Sequence, residues 1–156
     1  MANTYIAWTP SSAGERKKWT MSVWLKRSKT GVQSTIYNQY KDANYYNSYL
    51  TIQSDDQLNF VNYAESTTTN IKTTRKFRDT SAWYHIVLAV DTSEDSSDNR
   101  CKIYVNGVRE TSFATNTRPS QNLEMFANQT QPQQWGVQRY ASSSQGFFNG
   151  SMSYIA

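Results

Sequence analysis

The residues that could do chemistry are few. Acidic residues number twelve, and no two of them stand at i, i+2. On a strand, that spacing would put two carboxylates on one face, one way to build the pair that hydrolyses a glycosidic bond. A glycosidase reading therefore has no carrier. His85 is the single histidine and lies in an apolar run beside Trp83, without a nucleophile motif. It reads as a hydrogen-bonded structural residue, since a general base needs a placed partner. Cys101 is the single cysteine, which excludes an intrachain disulfide and any cysteine zinc cluster.

Two other sets are denser. Asp91, Glu94, Asp95 and Asp98, with Asn99, form a run of loop oxygens that could gather a Ca²⁺ ion or simply be a solvated loop. Trp24, Tyr37, Tyr45, Tyr46, Tyr49 and Tyr63 are interleaved with Asn38, Asn44, Asn47 and Asn62. Aromatic rings flanked by amides suit the stacking and hydrogen bonding of a sugar. The same rings also suit a sandwich core or a subunit interface. Both readings stand at this level.

Those residues need strands to hold them. The 156 residues are the length of one domain, 1–156, and include 22 aromatics alongside 60 Ser, Thr, Asn and Gln. That balance favours an all-β chain over a helical bundle, and it is too aromatic for disorder. Trp19–Arg27 alternates, placing Met21, Val23 and Leu25 on one face and Ser22, Trp24 and Lys26 on the other. Ser34–Tyr40, Tyr45–Gln53 and Gln57–Tyr63 follow, the last two joined through a Ser54-Asp55-Asp56 turn. Thr69–Phe77 reads as a polar edge or solvated strand. Trp83–Asp91 is apolar on both parities and reads as a central strand covered on both faces. Asn106-Gly107 between KIYV and VRET is a type I′ hairpin, with Val105 opposite Val108 and Tyr104 opposite Arg109. Gln121–Ala127, Gln134–Tyr140 and Phe147–Ile155 complete the strands. Asn3–Trp8 adds one near the C-terminal strand. The fold expected is an all-β, two-sheet antiparallel jelly-roll sandwich.

Charge adds little. The net charge is +4, and the basic clusters Arg16-Lys17-Lys18, Lys26-Arg27-Lys29 and Arg75-Lys76-Arg78 are scattered, reading as solvated strand ends. Neither a nucleic-acid surface nor a membrane span is indicated. The first residues show no basic region followed by an apolar one.

The order of these segments resembles a known family. A WTMSVWLKRS strand and a Ser-Asp-Asp hairpin precede FRDTSAWYHIVLAVDTS and CKIYVNGVRE. QWGVQRY and FFNGSMSYIA close the chain. This is similar to the concanavalin A-like lectin/glucanase superfamily in its laminin-G/pentraxin-like branch, above all the copies in virion proteins of tailed, particularly marine, bacteriophages. The resemblance implies a jelly roll and, through relatives that hold Ca²⁺ in loops, a candidate ion site at Asp91–Asp98. It implies no activity, because the fold carries lectins, adhesion modules and enzymes alike.

The expected role is a non-enzymatic virion structural or accessory protein, a capsid decoration or a tail or fibre module. It would be made in the host cytoplasm and displayed on the virion surface. Expected partners are other virion proteins, further copies of the chain and a host-surface glycan. The alternative is a free-standing carbohydrate-binding lectin module. Because Gly150–Ala156 stops within an alternating strand, the 156 residues are expected to be the N-terminal part of a longer protein.

Overall fold

The computed structural model describes residues 4–42, 46–64, 67–140 and 143–156. Asn3, Asn44 and Tyr45, named above, lie outside them. The described strands are β1 (Ile6–Trp8), β2 (Lys18–Arg27), β3 (Ser34–Asp42), β4 (Tyr46–Ile52), β5 (Gln57–Ala64), β6 (Thr67–Lys76) and β7 (Tyr84–Asp91). They continue with β8 (Cys101–Val105), β9 (Val108–Arg109), β10 (Phe113–Thr117), β11 (Gln133–Trp135), β12 (Gln138–Tyr140), β13 (Ser143–Gln145) and β14 (Gly150–Ser153). One 3-10 turn, Ser97–Asn99, is the only helical element among the described residues. Two antiparallel sheets result, in the orders β1-β11-β3-β4-β5-β6-β10 and β14-β2-β7-β8-β9, with β12 and β13 paired as a separate hairpin.

The two-residue period builds the layer between the sheets. Met21, Val23 and Leu25 of β2 and Ile86, Leu88 and Val90 of β7 face inward from the smaller sheet. They meet Leu50 and Ile52 of β4, Leu58 and Phe60 of β5 and Ile71 of β6. Trp19 bridges the layers edge-on to Phe60, ring centres 6.1 Å apart. The Asn106-Gly107 turn has φ of 51° and 80°, as a type I′ turn demands, and Val105 pairs with Val108. Asp56, at φ 69°, closes the β4–β5 hairpin.

Five expectations are corrected. β6 is not an edge, because β10 pairs beyond it; β10 was missed because FATNT lacks a hydrophobic period. Gln121–Ala127 is an irregular crossing rather than a strand, and its Phe126 amide donates to Asn62. Gln134–Tyr140 breaks at Gly136, whose φ of 90° turns the chain from β11 into β12. β7 is central but not covered outside: His85, Val87 and Ala89 are only half-buried. Arg27 is not a solvated strand end. It continues the inward parity of β2 and is fully buried.

Cys101 starts β8 inside the core, and burial pushes its thiol up to about 12. Thiolate is the reactive form. The native protein should therefore be inert to a thiol-reactive disulfide reagent at neutral pH and should consume one equivalent in denaturant. Rapid native labelling would show that β8 opens far more readily than a central core strand should.

Candidate functional site

The outer face of the seven-stranded sheet is built from the strand positions that point away from the other sheet. Register aligns them into rungs. One runs Gln134, Asn38, Tyr49, Val61, Asn70 and Thr117 across six strands. A second runs Thr35, Thr51, Asn59, Lys72 and Thr115, and a third runs Tyr40, Asn47, Tyr63 and Thr68. A face turned to solvent would normally be exposed. Here its centre is buried: Val61, outside the inter-sheet core, is only 1% exposed, and Asn38, Thr51 and Asn59 are buried too. The face is a recess.

The β12–β13 hairpin forms one wall. The Arg139 amide donates to Asn38 Oδ1 at 2.9 Å, the Thr35 amide donates to the Gly146 carbonyl, and the Gln33 amide nitrogen donates to Gln138 Oε1. Beside this wall opens a pocket of about 300 Å³ lined by Tyr40, Lys41, Gln131, Pro132, Gln134 and Arg139. Within the recess Asn38 Nδ2 donates to Asn47 Oδ1 at 2.8 Å. The phenols of Tyr49 and Tyr63 are hydrogen-bonded, and burial first, then Tyr63, raises the Tyr49 hydroxyl to about 12. Tyr49 remains a neutral hydrogen-bonding group across the physiological range.

Three buried polar atoms on this face have no partner: Thr35 Oγ1, Asn59 Oδ1 and Asn70 Oδ1. An amide oxygen left unpaired in a buried place costs about 1–3 kcal/mol. These atoms are closed to solvent, so a ligand hydroxyl or a water molecule would recover that cost only where the covering side chains move aside. Together the face offers neutral acceptors, amide donors, phenol rings and a Lys72 ammonium held by Asp55 at 2.5 Å. That chemistry is suited to polyhydroxylated molecules.

The aromatic set read from the sequence does not form one patch. Tyr49 and Tyr63 do share the recess. Tyr37 is a core residue, 2% exposed, edge-on to Trp135, with its hydroxyl donating to Gln39. Tyr46 is directed to the inner side and packs on Phe126. Asn62 is also internal and holds the Phe126 amide through its Oδ1. Trp24 lies on the outer face of the other sheet, with His85 stacked on it. Proximity in sequence put these residues in one set; the parity of each strand divides them. Asn59 and Asn70, Gln134 and Arg139 were missed. Only inter-strand register brings them together, and a single sequence does not contain it.

The acidic loop is likewise dispersed. Asp91 accepts from the Ser93 hydroxyl and pairs with Lys18 at 3.0 Å; these two partners, in that order, hold its carboxyl below the usual range. Asp95 accepts from Gln121 at 3.0 Å, Asp98 lies 3.7 Å from Arg118, and Glu94 lies 4.0 Å from Lys102. The Arg100 guanidinium gathers the carbonyls of Glu94, Asp95 and Pro119. Among the described residues no group of three or more His, Cys, Asp or Glu side chains is placed to hold a metal ion. His85 donates to or accepts from the Ser22 hydroxyl at 2.9 Å.

Known proteins share this architecture. The domain pair LG4-5 of the mouse laminin α1 chain superposes with a TM-score of 0.65 at 14% identity, covering 98% of this chain and 38% of that one. Domain 4 of the extracellular arabinanase AbnA from Geobacillus stearothermophilus, in complex with arabinotriose, gives 0.60 at 19% identity over 92% of this chain and 60% of that domain chain. The CBM40 of Ruminococcus gnavus IT-sialidase, bound to α2,3 sialyllactose, gives 0.62 at 10% identity over 99% and 92%. The chain thus spans less than two thirds of the laminin and arabinanase chains. No curated protein matches it in sequence. A family model described as the concanavalin A-like lectin/glucanases superfamily, of its Laminin G 3 type, matches residues 1–155. The chain, with its two facing antiparallel sheets and recessed polar face, belongs to that superfamily.

Proposed function

We propose that the domain is a non-enzymatic glycan-binding module that docks a saccharide in the recess of the seven-stranded sheet. The observation that carries this is the Tyr49–Tyr63 pair on a face whose open pocket is lined by the amide acceptors Gln131 and Gln134 with Tyr40 and Arg139. Sugar hydroxyls donate to such acceptors, and the phenol rings supply apolar contact for ring C–H groups. Fold neighbours bound to arabinotriose and sialyllactose support a saccharide over other polyols. The absence of an i, i+2 carboxylate pair in the sequence supports binding without hydrolysis.

The wider setting we propose is a tailed-phage virion, as a capsid decoration or a tail or fibre module attached to other virion proteins and presented to host-surface glycans. The support is the order of segments from WTMSVWLKRS to FFNGSMSYIA, in which the chain resembles phage copies of the superfamily. A free-standing lectin module shares the same recess and differs only in its partners.

A glycan array probed with the purified domain tests the binding. We expect retention on at least one class of bacterial surface saccharide. Tyr63→Ala and Asn70→Ala should each weaken it about tenfold, the worth of one lost contact or hydrogen bond. Unchanged binding by both folded variants would move the site elsewhere, and no binding on the array would end the reading. Mass spectrometry of purified particles tests the virion setting.

A further inference from the structure

On the opposite side of the molecule, the outer face of the five-stranded sheet carries an aromatic cleft that the recess does not explain. It is about 320 Å³ in volume and lined by Trp24, Trp83, Ser153 and Tyr154. These aromatics are 40%, 42% and 83% exposed, although the strands behind them form a well-packed core. Large aromatics left open together at one place mark an interaction site.

The cleft is held in shape. Trp24 and His85 are direct cross-strand partners, with ring centres 4.8 Å apart and planes 14° from parallel. His85 is fixed in turn by the Ser22 hydroxyl and by the Asn106 side chain accepting its backbone amide. One face of the Trp24 indole is therefore occupied. On the side away from His85 runs β14, where Ser153 is the register partner of Trp24. Trp83 precedes β7 with the outward parity of His85, and Tyr154 follows β14.

The size of the cleft identifies its occupant. Four residues cannot supply the 20–30 residues a side, or about 800 Å² per partner, of a stable protein interface. Beyond the cleft the face carries Lys18, Thr20, Ser22 and Lys26 of β2 and Lys102 of β8, and its apolar side chains Val87, Ala89 and Tyr104 are half-buried, so no large exposed aromatic continues the cleft. The volume does match the lower range of small-ligand sites, about 300–1,000 Å³. A hexopyranose presents a C–H face to an aromatic ring, whose π-cloud carries the opposite partial charge. Its hydroxyls would stay at the rim, near Ser151, Ser153 and Lys26.

We propose that Trp24, Trp83 and Tyr154 form a second saccharide subsite, a stacking platform for one hexopyranose ring. This goes beyond the recess and does not depend on it. A domain with subsites on both faces could bridge two glycan chains, or two points of one branched chain, gaining avidity from weak single contacts.

Nuclear magnetic resonance of the labelled domain tests this residue by residue. The probes are the methyl glycosides of glucose, galactose, mannose and N-acetylglucosamine at millimolar concentration. We expect at least one to shift the indole N–H signals of Trp24 and Trp83 saturably, while the signal of buried Trp135 stays in place. Tyr154→Ala, a change at an exposed position, should weaken that titration about tenfold. Trp83→Ala should do the same with the spectrum otherwise retained. Failure of all four glycosides to move Trp24 and Trp83 would overturn the proposal. So would signals that shift with protein concentration alone, which would make the cleft a contact between copies of the chain. Side-chain amide signals of Asn59 and Asn70 report the recess separately, so either subsite can fail alone.

Discussion

Replacing Asp56 by asparagine should destabilise the domain by about 3–5 kcal/mol, the cost of leaving a buried charge without its partner. Arg27 ends the inward-facing row of β2 and is fully buried. Its Nη1 donates to Asp56 Oδ1 at 2.8 Å and to the Phe77 carbonyl at 2.6 Å. Asp56 belongs to the β4–β5 turn, so this pair ties one sheet to the other at one end of the sandwich. The carboxylate also takes the Gly31 amide and Arg78 Nε. Asparagine tolerates the φ of 69° at this position, so the substitution removes charge without straining the turn. A loss of that size is a large share of the 5–15 kcal/mol available to a typical domain. It should lower the midpoint of thermal unfolding by about 6–20 °C at 2–4 °C per kcal/mol. Arg78→Ala should cost under about 1 kcal/mol, because that side chain is mostly exposed. A shift of only one or two degrees for Asp56→Asn would mean that the Arg27 charge finds solvent.

Acid supplies a second readout of the same pair. Burial alone would raise the Asp56 carboxyl, but the bonds from Gly31, Arg27 and Arg78 outweigh it and hold the group below its ordinary value. A carboxyl depressed in the folded state contributes stability that is complete above its unfolded value, about 3.9, and is lost as pH falls through the folded one. Asp55, Asp79 and Asp91 are depressed as well, so the wild-type acid limb has several contributors. Stability should be level above about pH 5 and fall below pH 4. Asp56→Asn should be weaker throughout and show a shallower fall, having already lost one of the titrating groups.

Legibility in the sequence followed the strength of local signals. Trp19 to Arg27 alternates without a break, and β2 formed with that parity, including Trp24 outward. The Asn106-Gly107 pair dictated its turn, since few other residues adopt two successive positive φ values. β10 was invisible because an edge strand of Phe, Ala, Thr and Asn pairs through its backbone and buries little. The recess was half legible. Tyr49 and Tyr63 were named, but as members of a set that included the core residue Tyr37. Their spacing could not reveal that a bulge between Thr35 and Tyr37 resets the parity of β3. Arg27 shows the opposite failure: its parity in β2 marked it as internal, and its charge argued for solvent. Parity prevailed because Asp56 was available to meet it.

The second large effect separates two neighbours on β5. Phe60 is completely buried, pairs across the sheet with Leu50 and Ile71, and meets Trp19 from the other sheet. Phe60→Ala removes the ring from the centre of the core and leaves a cavity that the two sheets cannot close. The expected loss is about 3–5 kcal/mol. Val61 is as buried by area but faces the recess, outside the core. Val61→Thr keeps its shape and adds a hydroxyl where Asn70 and Tyr49 are its cross-strand neighbours. Burying that hydroxyl costs about 1–3 kcal/mol, which a bond to the unpartnered Asn70 Oδ1 reduces, so the loss should stay below that of Phe60→Ala. Equilibrium denaturation of the two variants measures both. If Val61→Thr were as damaging as Phe60→Ala, the recess would be a second hydrophobic core rather than a polar binding face. A small loss for Phe60→Ala with a larger one for Val61→Thr would place β5 one residue out of register, with Phe60 turned outward. The expected inequality, larger for Phe60 than for Val61, is what a sandwich with one dry face and one wet face must give, because adjacent strand residues point to opposite sides of the sheet.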